Sequence, residues 1–477
     1  MKTLLSQMPP EKNLYLQSQE LLQNHFLISS NGESVTYGDI DVFVKEFQEF
    51  ITPRSIAFVL CSNTIGSVIG LPILVRNGVV PLLLDMNIAP HYLGELIRNY
   101  EPEYMLVPSD LVSAFPTWKI IKHLFNYVLI TNGNFSKSDI DVDLCCLLTT
   151  SGSTGSPKLV RLSYQNITSN AFAIAQYLDI KAHDRVITTL PMNYSYGFSI
   201  INSHFIRGAS IYLNEESVIT RNFWNQMNEH KISTFNGVPQ TYEMLRRMRF
   251  HRMELPSLKT MTQAGGKLSA ETANDIISYC LRNKISFFTM YGQTEASPRM
   301  SYVPADAAHT KSGSIGIAIP DGKLSLLDAD NNEILDSHIS GELCYQGKNV
   351  FQGYAQNRID LAKGNETKGF LRTGDLAYKD ESGFYFIVGR LNRFVKIFGN
   401  RVNLDDLELL LNETYSECAC TGIEDQIKIF STNPDVLVEL RNMAATITGL
   451  NRQAFVPCFV DTIPRNESGK IKYGELK

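Results

Sequence analysis

The sequence is poor in the features that would take it out of the class of ordinary globular proteins. Cysteine is sparse, 8 in 477 residues. Cys145 and Cys146 stand side by side in an apolar run, and Cys418 and Cys420 lack a second ligand pair for zinc. Buried, reduced thiols and a cytoplasmic compartment are therefore expected. No apolar run approaches the roughly eighteen residues of a membrane span. The opening "MKTLLSQMPPEKNLYLQ" has too short an apolar stretch for a secretory signal. Neither sign of charge dominates: 44 Lys and Arg stand against 49 Asp and Glu. That balance gives no footprint for nucleic acid and no polybasic patch for a membrane surface. No repeat and no low-complexity tract interrupts the chain.

What is present suits a protein with substantial cores. The hydrophobic share is 44%, and the length predicts two or three folding units. "VTYGDIDVFVKEFQEFI" (35–51) reads as an amphipathic helix with Thr36 as its cap. "SIAFVLC", "SVIGLPILVRNG" and "VVPLLLD" follow as strand, helix and strand, a βαβ unit that points to a parallel sheet. "HYLGELIRNY", "EYMLVP", "RVITTLP", "ASIYLN" and "ISTFNGVP" continue the rhythm to about residue 300, which predicts α/β layering. After about residue 313 the texture changes to short, Gly-punctuated β-like runs such as "KLSLLD", "GELCYQG" and "GFYFIVGR". Residues 392–477 read as a small α+β unit.

One loop concentrates small polar residues. "LLTTSGSTGSPKLVRLS" (147–163) leaves an apolar strand-like run, and Ser163 is placed to cap the helix at "QNITSNAFAIAQYL". Backbone N–H groups and hydroxyls converging beside Lys158 suit a polyphosphate. The spacing is not that of a Walker loop: Gly152 and Gly155 are too close, and Pro157 precedes Lys158. Taken alone, such a loop is equally a bare surface connection.

Its company gives it meaning. In chain order, "TTSGSTGSPK", "MYGQTEAS" (290–297), "FLRTGDLAYKDESGFYFIVGRLNRFVKIFGNRVNLDDLE" (370–408) and "IPRNESGKIKYGEL" resemble the core motifs of the adenylate-forming, AMP-binding superfamily. That group holds acyl-CoA synthetases, aryl-acid ligases, luciferase-like enzymes and peptide-synthetase adenylation domains. The likeness runs from about residue 35 to the last motif. It implies a large N-terminal domain (1–391) of layered α/β subdomains with a β-rich subdomain. A small mobile α+β domain (392–477) would follow, turning at Asn392.

The resemblance also implies a reaction. A carboxylate attacks the α-phosphorus of ATP, giving acyl-adenylate and pyrophosphate, and a thiol then takes the acyl group. Two anions must meet, so the site has to supply donors and positive charge. By the resemblance, Thr150, Ser151, Gly152, Ser153, Thr154, Gly155 and Lys158 hold the leaving phosphates. Tyr291, Gly292 and Gln293 lie against adenine, with Gly265, Gly266 and Lys267 beside it. Thr294 meets the α-phosphate, and Glu295 binds Mg²⁺, a cation that prefers hard oxygen ligands. Asp375 and Arg390 take the ribose, with Arg401 near phosphate. Lys470 is the catalytic lysine that bridges carboxylate and phosphate. Lys396 and Gly399 ("VKIFGN") line the thiol's path after the domain turns.

The acid is read from "LPMNYSYGFS" (190–199). Asn193, Tyr194, Ser195, Tyr196, Asn236, Gly237 and Val238 are the expected pocket. Ser195 stands where amino-acid-activating relatives carry an Asp, and a buried ammonium without a counter-charge is costly, so an α-amino acid is disfavoured. A small aryl, hydroxylated acyl or short fatty acid fits equally. The acceptor is coenzyme A by default, with a separate phosphopantetheinyl carrier protein as the alternative. A catalytically inactive AMP-binding homologue is a third reading, against which Lys470, Glu295 and Asp375 all stand.

Overall fold

Strands buried on both faces account for the unbroken apolar runs. In a computed structural model that describes residues 14–135, 139–149, 158–397, 400–415, 417–423, 425–465 and 469–476, Ile56–Cys61 is buried along its whole length. The side chains of residues 392, 394, 396, 400 and 401 also lie outside the described part. Ile56–Cys61 pairs in parallel with Val80–Asp85 on one side and Tyr104–Pro108 on the other. The helix Ile65–Arg76 crosses between them and is buried from Ile65 to Val75. A helix that is apolar all round belongs inside a layered α/β core. The sheet reaches eight strands, ending in Leu144–Thr149, Leu159–Ser163 and Gly353–Ala355 at one edge.

The second large sheet has nine strands. Its order runs Ile317–Ala318, Arg299–Tyr302, Ser286–Gly292, Thr260–Gln263, Thr234–Gly237, Arg185–Ile187, Ser210–Leu213, His25–Ser29 and Ser34–Thr36. The central pairs are parallel, so the chain must cross over between them through helices. Phe223, Trp224, Phe235, Tyr242, Phe250 and Phe287 pack together in its core. Both expected caps are present as capping boxes. Thr36 and Asp39 open the helix Tyr37–Phe47, and Ser163 and Asn166 open Tyr164–Tyr177.

The run read as one loop, 147–163, is strand at both ends. Leu144–Thr149 and Leu159–Ser163 pair antiparallel, and Arg161 in the second is fully buried. Its guanidinium donates to the carbonyls of Gln352 and Tyr354, each 3.3 Å away, and pairs with Glu366. A charged side chain in a fully buried strand, satisfied by backbone, is what a Gly/Ser pattern cannot foretell.

The chain divides into two compact units. The second takes Leu324–Tyr345 and all from Arg372 onward, so the expected division at residue 391 falls inside it. This unit holds a four-stranded sheet in the order Lys323–Leu327, Gly341–Gln346, Phe370–Lys379 and Tyr385–Arg390. The hairpin of Phe394–Ile397 with Asn400–Asn403 follows. A three-stranded sheet of Cys418–Ile423, Gln426–Ser431 and Phe455–Phe459 then packs on the helices Leu404–Thr414 and Leu437–Thr448 through Leu407, Leu411, Ile427, Ile429, Leu440 and Ala444. All eight cysteines are free thiols, seven of them buried. Among the described residues no helix is long and apolar enough to cross a membrane.

One buried group makes the fold sensitive to acid. His204, 1% exposed, donates Nδ1–H to the Ile200 carbonyl at 2.8 Å, and its Nε2 has no partner among the described residues. Burial lowers its pKa from 6.5 to about 4. The unfolded chain therefore binds the extra proton first, and stability falls as pH drops from 6.5 towards 4, by roughly 3 kcal/mol at most. His204→Gln is expected to remove that share of the decline. Urea midpoints of the two proteins at pH 7.5 and pH 5 measure it; parallel declines would clear His204 of the effect.

Candidate active site

The central motif sits where a strand must reverse tightly. Ser286–Gly292 turns back antiparallel onto Arg299–Tyr302, with Gly292 opposite Arg299. A Cβ on Gly292 would lie 1.9 Å from the Pro298 carbonyl oxygen, so only glycine fits. The short helical turn Thr294–Ala296 fills the bend. Its carbonyls are fixed from outside: Phe351 N–H donates to Glu295 O at 2.8 Å, and Asn349 Nδ2 donates to Ala296 O at 2.7 Å.

From this turn a chain of side chains runs in both directions. Thr294 donates its hydroxyl to Ser195 Oγ at 3.2 Å, and Ser195 opens the buried helix Ser195–Phe205. Glu295 Oε1 accepts from Tyr354 Oη at 2.8 Å. Lys158 Nζ lies 3.2 Å from the centre of the Tyr354 ring, a close cation–π contact. Burial, and then the negative charge of Glu295, push the Tyr354 hydroxyl well above its ordinary pKa, so it remains a donor. Tyr354 holds this place because Gly353–Ala355 adds to the sheet edge with Tyr354 opposite Val160, two residues past Lys158. The motif lysine, glutamate, threonine and serine thus share one connected site, with Tyr354 as the link that no motif announced.

The donor set there suits one cation class. Glu295 is half-buried, and one of its carboxylate oxygens accepts from Tyr354. No group of three or more His, Cys, Asp or Glu stands together among the described residues. A protein-only metal cage is therefore not offered. A hard cation taking one carboxylate plus waters and phosphate oxygens, as magnesium does, fits Glu295.

The expected pocket residues gather on neighbouring strand ends. Gly265 has φ +94°, and a Cβ there would fall 2.8 Å from Tyr194 Oη and 3.3 Å from Val238 Cγ1. Three separate segments therefore meet at that point. Asn236 and Gly237 pair across to Thr262 and Gln263. Asn236 Oδ1 accepts from Thr262 Oγ1 at 2.6 Å, and the Tyr196 hydroxyl is 2.7 Å from Thr262 Oγ1. Gln263 Nε2 donates to the Gly266 carbonyl at 2.6 Å, bracing the turn that carries Lys267, which is exposed. Asn193 Nδ2 reaches Asp85 Oδ2 at 3.4 Å. Tyr291 and Gln293 are half-buried and 3.4 Å apart.

The second unit carries the other motif residues. Asp375 is buried and faces Arg390 across the antiparallel pair, 3.3 Å from its Nε, while Arg390 is largely exposed. Lys396 and Arg401 are opposite each other in backbone register. Their side chains and that of Asn392 are outside the described residues, as are Thr150, Ser151, Gly152, Ser153, Thr154, Gly155 and Gly399. Lys470 is half-buried, just after Gly469 at φ +78°.

Comparison with known proteins finds relatives over most of the chain. The family model described as "AMP-binding enzyme" matches residues 23–355. "Probable 4-coumarate--CoA ligase 1" of Dictyostelium discoideum is 28% identical over 353 residues, covering 68% of this chain and 63% of that relative. The chain thus spans under two thirds of the length of the curated relatives it matches at this level. "4-coumarate--CoA ligase CCL1" of Humulus lupulus is 24% identical, over 93% of this chain and 88% of its own. Among solved structures, ATP-bound MatB from Rhodopseudomonas palustris has a TM-score of 0.79 at 19% identity, covering 98% of this chain and 97% of its own. MenE from Bacillus subtilis with ATP and magnesium has a TM-score of 0.79 at 20% identity, covering 98% and 99%. These structures share the fold, with its large N-terminal and smaller C-terminal parts.

Proposed function

The chain belongs to the AMP-binding enzymes, and from that premise we propose that it is an adenylate-forming acid–thiol ligase. It joins a carboxylic acid to the α-phosphate of ATP, releases pyrophosphate, and passes the acyl group to coenzyme A. The single observation that carries this reading is the connected set Lys158, Tyr354, Glu295, Thr294 and Ser195. A cation, a carboxylate and two hydroxyls at one strand reversal suit a polyphosphate and its metal. Magnesium bound at Glu295 would neutralise phosphate charge as the nucleotide is split. Once the nucleotide is bound, Thr294 turns the hydroxyl proton it now gives to Ser195 Oγ towards an oxygen of the transferring phosphate. Asp375 accepts from ribose hydroxyls, and Lys470 brings an ammonium to the oxygens of both reactants.

The test is pyrophosphate release with ATP and Mg²⁺ over a panel of carboxylic acids, with hydroxylamine trapping the adenylate. Acid-dependent release and an acyl hydroxamate are expected, and adding coenzyme A should convert the adenylate to a thioester. Transfer to a phosphopantetheinyl carrier in place of free coenzyme A would revise the acceptor alone. Tight AMP binding without turnover of any acid would favour an inactive homologue.

Tyr354 offers a sharper probe. Tyr354→Phe keeps the ring under Lys158 and removes the hydrogen bond that orients Glu295. Loss of an outer partner of a metal-binding carboxylate typically costs roughly 10- to 100-fold in metal affinity or activity. The Mg²⁺ concentration for half-maximal release is therefore expected to rise by about that factor. An unchanged Mg²⁺ dependence would detach Tyr354 from the metal.

A further inference from the structure

Four arginines are buried to less than a tenth of their surface: Arg161, Arg299, Arg358 and Arg393. Arg161 has Glu366, Arg358 has Glu103, and Arg393 has both Asp405 and Glu408. Arg299, 2% exposed, has no carboxylate among the described residues. Its Nη1 points at the thioether sulfur of Met290, and its Nη2 donates to Ser199 Oγ at 3.1 Å. The guanidinium lies 4.1 Å from the centre of the Tyr196 ring, and its Nε is buried with no partner among the described residues. A fixed positive charge out of water, held by a thioether, the Ser199 and Tyr177 hydroxyls and a ring, with no carboxylate among the described residues, is incompletely compensated. The other three show that this chain ordinarily gives a buried guanidinium its anion.

The place of Arg299 gives that missing anion a source. Tyr196 and Ser199 are on the helix Ser195–Phe205, whose first residue meets Thr294 of the motif turn. Arg299 itself stands opposite Gly292, at the other limb of the same strand reversal. The uncompensated charge is therefore next to the residues proposed to hold the acid, and not in a remote part of the core. The N–H groups now directed at Ser199 and Met290 are those that a carboxylate would take as a two-pronged partner.

Resting on the reading of the chain as an acid-activating enzyme, we propose that Arg299 is the counter-charge for a second carboxylate on the substrate, which makes the acid a small dicarboxylic acid. One carboxylate goes to the phosphate of ATP, and the other neutralises Arg299. A site built around a buried charge rejects an analogue that leaves the charge unpaired far more strongly than it rejects a missing methylene.

The experiment compares matched acids in ATP–pyrophosphate exchange: succinate against butyrate, and glutarate against valerate. Wild-type protein is expected to prefer the diacid of at least one pair by roughly 100-fold or more in kcat/KM. In Arg299→Met, which keeps the side chain's length and loses its charge, that preference should collapse. Exchange supported by monoacids at least as well as by their diacids would overturn the inference and leave the activation reading intact. Absence of exchange with every acid of a wide panel would remove the activation reading, and this inference with it. The wild-type ratio needs no variant, so a Met variant that failed to fold would not rescue the idea.

Discussion

Replacing Lys470 with alanine will slow acid-dependent pyrophosphate release by roughly two to three orders of magnitude, the loss typical when one preorganised donor to a transition-state oxygen is removed. Lys470 is half-buried, in the second unit. It follows Gly469, at φ +78°, in a tight turn closed by the bridge between Arg465 and Ile471. Lys472 N–H donates to the Pro464 carbonyl at 2.8 Å, and Arg465 Nη1 donates to the Gly469 carbonyl at 2.8 Å. These bonds hold the backbone on both sides of Lys470 while its side chain stays half-buried. Alanine should leave those backbone bonds in place and the chain folded, which a cooperative thermal unfolding transition checks. Substrate binding should also survive, because the interaction is made in the transition state and not in the ground state. Near wild-type release from a folded Lys470→Ala protein would withdraw the lysine's assigned role.

How far the site could be read from the sequence depended on whether its residues are contiguous. Thr294 and Glu295 belong to one unbroken string, and their shared turn follows from a strand ending in Gly292. The parallel strands announced themselves as short apolar runs on either side of a helical run that ends at Gly78, as at Ile56–Cys61 and Val80–Asp85. Tyr354 was invisible because its role arises from register. It is 196 positions from Lys158, and only the addition of Gly353–Ala355 to the edge of Leu159–Ser163 brings the two together. Arg161 was read as part of a loop, since nothing local says that Glu366 and the Gln352 carbonyl will surround it. Arg299 left one trace that went unread: "SPRMSY" puts an arginine in a strand between apolar neighbours. A charge in such a strand must find a partner, and the sequence could not say that no carboxylate would be there.

The second large effect is expected at Glu408, in the core of the second unit. Its two carboxylate oxygens gather three donors. Oε1 accepts from Arg393 Nη2 and from Cys420 N–H, each at 2.5 Å, and Oε2 accepts from the Tyr473 hydroxyl at 2.7 Å. Arg393 also lies 3.8 Å from the Tyr473 ring centre and donates to the Cys420 carbonyl at 2.7 Å. Burial pushes the Glu408 carboxyl up, and the Arg393 charge pulls it back down. Glu408→Leu strands these three donors in a dry interior, with Asp405 the one carboxylate left for the guanidinium among the described residues. Breaking a buried pair from one side typically costs about 3–5 kcal/mol. Glu408→Gln, which keeps one acceptor, should cost less, and Tyr473→Phe should cost about 1 kcal/mol, the worth of one hydrogen bond. The series has a functional reading as well as a stability one. Arg393 is one residue past Asn392, and Tyr473 is three residues past Lys470, so one carboxylate ties the expected turning point of the domain to the segment that carries the lysine. Acid-dependent pyrophosphate release should thus fall in the same order as stability, Leu below Gln below Phe, at temperatures where every variant is still folded. Equal release from all three folded variants would show the cluster to be packing alone, and an unshifted denaturant midpoint for Glu408→Leu would remove its role in stability.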